Sequence, residues 1–194
     1  MSAEPISQLT RAIDATGQVI AAIDGAQWAG RTPCTEWTVS DLVRHLVAGN
    51  NRFATAIDGK ERQAIDEAAP ADADLPGAYQ DSGAALIEAF SLPGALEATV
   101  TVPLGDVPGV VALHLRITEI LVHGWDAAVA TGYPAEFPDD VAEAELTFSR
   151  GKLGDIPPGR TPFAPQQLVA DDAPPIERLA ACLGRDVSAA RPTR

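Results

Sequence analysis

Cysteine is nearly absent from this chain: Cys34 and Cys182 are the only two in 194 residues. Two thiols cannot make a disulfide framework, so a reduced, cytoplasmic protein is expected. Positive charge is also short. Fourteen basic residues against 27 acidic ones leave a net charge of −13, which argues against nucleic acid and anionic membranes as partners, since both need a basic face. No apolar run approaches the length of a membrane span. The N-terminal stretch MSAEPISQLTRAIDATG has no basic region followed by an apolar block, so no secretory signal is expected. Lysine is rarer than arginine, 2 against 12; with abundant Ala, Gly and Pro this reads as the bias of a GC-rich genome and carries no chemistry. Aromatics make up 5% of the chain and hydrophobic residues 46%, so the core must come largely from Ala, Val, Leu and Ile.

What is present is helical periodicity. A first helix is expected over about Pro5–Asp24, from the stripe Ile6, Leu9, Ile13, Ile20 and Ile23, with Gly25 as its cap. A linker, AQWAGRTPCTEWT, leads to a second helix ending near Asp58 at Gly59. Thr38 is its N-cap, Asp41 the capping-box partner, and Trp37 with Leu42 the hydrophobic staple. Residues 60–74 read as a surface connection. A third helix is expected over about Leu75–Phe90. ATVTVP alternates and is followed by a turn, LGD, which predicts a short strand or hairpin near 98–108. The fourth helix, about Val110–Thr131, is apolar nearly all round and belongs in the middle of the molecule. A more polar fifth helix is expected over about Pro138–Arg150, then a Pro-rich tail ending in the short helix PIERLAACLG. Repeats and a second core are absent. The expected fold is all-α, an antiparallel four-helix bundle over 1–150 with a tail, 151–194, packed on the same domain.

Chemistry concentrates in the fourth helix. Arg116, Glu119, His123 and Asp126 are spaced 3, 4 and 3 apart and share one stripe. Buried polar groups must be paired or ligated. One reading is ordinary: an Arg116–Glu119 ion pair and a His123–Asp126 hydrogen bond. The other adds His45, on the second helix among Leu42, Val43, Leu46 and Val47, to give two imidazoles and one carboxylate. Three such ligands leave a coordination position open, and they suit zinc, nickel or ferrous iron alike. Asp126 or Arg116 can then orient a ligand or hold an anionic group. His114 is half a turn out of phase and is expected on a surface or in packing. Cys34 reads as a small linker residue, with a fourth ligand or redox partner as the alternative; Cys182 reads as packing. Trp28, Trp37 and Trp125 read as core or staple residues, with Trp125 also able to wall a pocket.

CTEWTVSDLVRHLVAG together with RITEILVHGWDAAVATG resembles the DinB-like metal-binding superfamily, in the branch of mycothiol-dependent maleylpyruvate isomerase. FAPQQLVADDAPPIERLAACLGRD is similar to the tail of its small single-domain members. The resemblance implies an up-down-down-up bundle and one divalent metal, zinc ahead of nickel or iron, on His45, Glu119 and His123. It also implies a metal-activated low-molecular-weight thiol as co-substrate, attacking a small electrophile. About forty residues follow the bundle without an α/β pattern. The isomerase's larger C-terminal domain is therefore expected to be missing, which puts maleylpyruvate itself in question. The function expected is a metal-dependent thiol transferase or isomerase; the competing one is a non-catalytic metal- or ligand-binding sensor or carrier. A homodimer formed through a helical face fits either.

Overall fold

The computed structural model describes residues 4–34, 37–60, 74–102, 105–154 and 164–188. Among the described residues, six α-helices and one two-stranded sheet follow in chain order: α1 Glu4–Ala21, α2 Val39–Asp58, α3 Leu75–Phe90, β1 Thr99–Val102, β2 Gly105–Pro108, α4 Gly109–Thr131, α5 Asp139–Gly154 and α6 Pro175–Cys182. A 3-10 turn, Gln27–Ala29, lies between α1 and α2.

The first four helices form the bundle. α4 packs between α1 and α2, and α3 closes the other side by packing on the same two helices. Their directions follow from side-chain contacts. Thr16 donates to the Ile120 carbonyl and Gln27 to that of Thr131, so α1 and α4 run parallel. Asn50 meets Ser82 and Lys60 meets Glu88, so α2 and α3 run parallel. Arg116 reaches Asn50 while His123 faces His45, which sets α2 antiparallel to α4. The order is thus up, down, down, up, as the family resemblance implies.

Local signals explain most boundaries. Thr38 and Asp41 form a reciprocal capping box at the start of α2, and Gly59 ends that helix in the left-handed conformation, at φ 70°. Gly132 ends α4 in the same way, at φ 72°. Both positions favour glycine because a Cβ there is strained. The expected hairpin is present, with Val100 opposite Val107 and Thr101 opposite Asp106. Two ends differ from expectation. α1 stops at Ala21 because tight bonds from Ala22 to Val19 and from Ile23 to Ile20 close its last turn; Gly25 is therefore not its cap. α5 runs on to Gly154, past the expected Arg150. The expected surface connection lies, over 61–73, outside the described residues.

The core is aliphatic. Leu9, Val19, Ile20, Leu42, Leu46, Leu86, Leu113, Ile117, Ile120 and Leu121 are all buried, with Phe90 and Tyr79 among the few large rings. α6 packs on α5 and α4, and Ile176, Leu179, Cys182, Leu183 and Val187 join the same core. Among the described residues, no helix is long and apolar enough to cross a membrane.

Candidate functional site

α4 is buried nearly all round, as its sequence predicts, and its polar stripe therefore faces protein. Arg116 is 0% exposed. Its Nη1 donates to Glu119 Oε2 at 2.6 Å, Nε to Asn50 Oδ1 at 2.9 Å, and Nη2 to the Leu46 carbonyl at 2.7 Å. The guanidinium also lies over the Phe53 ring, 5.9 Å from its centre. Gly49 makes room for it: a Cβ there would stand 2.2 Å from Nη1. Asn50 in turn donates to Ser82 on α3. Arg116 therefore ties α4 to α2 and holds one oxygen of Glu119. An anion contact by this side chain would require it to give up these partners at full burial.

His45 and His123 come together from α2 and α4. Their ring centres are 5.2 Å apart, with the planes at 79°. His123 Nδ1 lies 3.0 Å from Asp126 Oδ2. A carboxylate only accepts, so Nδ1 carries the hydrogen of this bond, and Nε2 is the nitrogen left for another partner. Among the described residues His45 forms no hydrogen bond. Burial first, then the facing His123, push the His45 imidazole down to about 4, against the pull of Glu119. It is neutral at neutral pH, the form that ligates a metal.

The three expected ligands thus share one region, but they do not converge. Among the described residues, no three His, Cys, Asp or Glu side chains are placed to hold an ion. Glu119 Oε2 is held by Arg116, and its side chain is one-third exposed. The donor set nevertheless fits a divalent cation. Two imidazoles sharing one at about 2.1 Å and a tetrahedral angle have centres roughly 5 Å apart. The observed spacing matches, and Oε1 of Glu119 has no hydrogen-bond partner among the described residues.

Other sequence expectations divide. His114 points away from the site, as its phase requires, and bonds Glu145 Oε1 at 2.8 Å while stacking on Phe148. Cys182 is buried packing. Cys34 is half-buried in the linker, and its carbonyl accepts the Trp37 N–H at 2.8 Å. Trp125 is buried in the core. The indole beside the histidines is instead that of Trp37, 4.5 Å from His45 and 5.5 Å from His123. A staple position gave no hint of this second contact.

Sequence reasoning also missed Asn50, Arg52 and Arg185. Asn50 is a buried polar residue in an apolar helix, a signal that was available. Arg52 is exposed, seven residues beyond His45 and so on the same face of α2. It acts electrostatically on both His45 and Arg116, and forms no ion pair among the described residues. Arg185 bonds Asp126 from 59 positions away, a separation no local pattern reports.

The fold is an up-down-down-up helical bundle in which His45 of the second helix faces His123 of the fourth. Residues 9–128, which contain all of these bundle positions, match the mycothiol maleylpyruvate isomerase N-terminal domain. Two uncharacterised proteins, from two strains of Mycobacterium tuberculosis, are each 37% identical over 186 residues, covering 95% of this chain and 99% of theirs. The chain belongs to the mycothiol maleylpyruvate isomerase N-terminal domain family. Its backbone is similar to the crystal structure of a mycothiol-dependent maleylpyruvate isomerase, with TM-score 0.56 and 21% identity over 74% of this chain and 68% of that one. A histidine-to-alanine mutant of that isomerase gives TM-score 0.59 and 18% identity over 77% and 68%. At these identities the likeness is one of fold.

Proposed function

We propose that His45, Glu119 and His123 hold one divalent cation, zinc ahead of nickel or iron, and that the protein is a thiol-dependent transferase or isomerase acting on a small electrophile. The observation that carries this is the imidazole pair: two rings with centres 5.2 Å apart, one with its Nδ1 committed to Asp126. Family membership supports a mycothiol-type thiol as co-substrate. With a divalent cation held there, a bound thiol would have a lowered pKa and would be present as the thiolate nucleophile at neutral pH.

The chain's own groups have separate tasks. Asp126 fixes the His123 tautomer. Arg116 holds Glu119 Oε2 and leaves Oε1 to turn toward the rings. Trp37 packs against both imidazoles. Arg52 shares the face of α2 that carries His45 and forms no ion pair among the described residues, so the thiol or the electrophile is expected to carry a carboxylate. Three protein ligands would leave room for a thiol on the same cation.

Zinc titration of metal-free protein tests the reading. One zinc per chain is expected, with His45→Ala and His123→Ala each losing it. Full zinc content in His45→Ala would overturn the assignment. A panel of carboxylated electrophiles, with and without mycothiol, should show turnover that requires both thiol and metal. Arg52→Gln should raise KM for the anionic reactant severalfold with little change in kcat.

A further inference from the structure

We infer that the C-terminal segment completes the site, with Arg185 as a positioning residue that fixes Asp126 and, through it, His123. The inference rests on the metal reading for its consequence, though not for its geometry. Residues 9–128 carry the family match, and Arg185 lies outside them. Its Nη2 donates to Asp126 Oδ2 at 3.1 Å and its Nε to Oδ1 at 3.4 Å. Asp126 is 0% exposed. A buried carboxylate that accepts from one imidazole alone is free to rotate about its last bond and is poorly compensated. Two-point contact from a planar guanidinium removes that rotation. The His123 Nδ1–H then has one fixed acceptor, and Nε2 one fixed direction.

The local fold shows how the arginine is aimed. α6 is seated by Ile176, Leu179 and Cys182. It ends in a Schellman turn, in which Gly184 N–H bonds the Ala181 carbonyl and Arg185 N–H that of Ala180, both at 3.0 Å. Gly184 has φ 88°, and a Cβ on it would come within 2.6 Å of the Ala164 carbonyl oxygen. The turn reverses the chain toward α4, and Val187 re-enters the core just beyond. Arg185 Nη1 also donates to the Leu183 carbonyl at 3.0 Å, which steadies the guanidinium.

The test uses the full chain and two readouts: nitrogen NMR of the imidazoles without metal, and zinc affinity. Wild type is expected to show His123 as a single Nδ1–H tautomer. Arg185→Gln should give mixed tautomers and about tenfold or greater loss of zinc affinity. Arg185→Lys keeps the charge without the two-point contact and should fall between. Val187→Ala loosens the same segment and should lower the melting midpoint while leaving the tautomer and affinity as in wild type. A wild-type tautomer in Arg185→Gln overturns the inference. Should that variant not fold, a wild-type tautomer and affinity in Arg185→Lys overturns it instead. If wild type takes up no zinc, the metal reading fails, while the tautomer still decides the role of Arg185.

Discussion

Buried charge in this protein is handled one residue at a time, and each case has its own partner. Glu145 is 0% exposed and accepts from His114 and Thr118. The hydrogen bond to Glu145 raises the His114 pKa above its ordinary 6.5. Folding therefore binds this proton more tightly than the unfolded chain does. The stabilisation is full below about 6.5 and fades as pH rises through the folded value. His114→Gln should lower stability by roughly 1–2 kcal/mol at pH 5.5, allowing for its partial exposure. That difference should shrink in mildly alkaline buffer; urea melts at several pH values would show it. A difference that grew with pH would contradict the pair's charge. His45 is the opposite case, held neutral by burial beside a second imidazole. The sequence marks His114 and His123 on the same helix, and helical phase alone separates them: His123 stays on the stripe and His114 leaves it. The carboxylate that His114 meets comes from α5, and nothing in the α4 sequence names it.

Between helices, close approach is set by small residues opposite large polar ones. Gly49 on α2 admits the Arg116 guanidinium, which has three separate partners holding it in place. Gly49→Ala should cost about 1–3 kcal/mol, the usual range for overpacking. Because the clash is with Arg116, the cost should fall in an Arg116→Gln background, an interaction that a double-mutant cycle measures. Equal costs in both backgrounds would locate the strain elsewhere. Capping and periodicity made the helices legible from sequence. The box at Thr38 and Asp41, the glycine stops at 59 and 132, and the alternation of ATVTVP all appear where local chemistry puts them. The end of α1 was less legible, because a tightened last turn and the Gln27 side chain on the Asp24 N–H compete with the glycine signal.

At the scale of the molecule, metal binding and folding should be linked. A zinc ion bound only by the folded state adds about 2.7 kcal/mol at a hundredfold excess over Kd. For a chain of this size that raises the melting midpoint by roughly 5–11 °C. The rise should reverse with a chelator and vanish in His123→Ala; calorimetry with and without zinc checks it. The amino-acid sequence alone determined the helix set, the hairpin, the aliphatic core and the stripe on α4, because these follow from periodicity, capping and side-chain volume within short windows. It also contained the family motifs that imply His45 as a partner for that stripe. Tertiary structure decided what each polar group touches. It gave Arg116 to Asn50 and the Leu46 carbonyl, placed Trp37 rather than Trp125 over the imidazoles, and brought Arg185 back to Asp126. Those pairings join residues far apart in the chain. Helix direction and packing bring them together, and no local pattern encodes that.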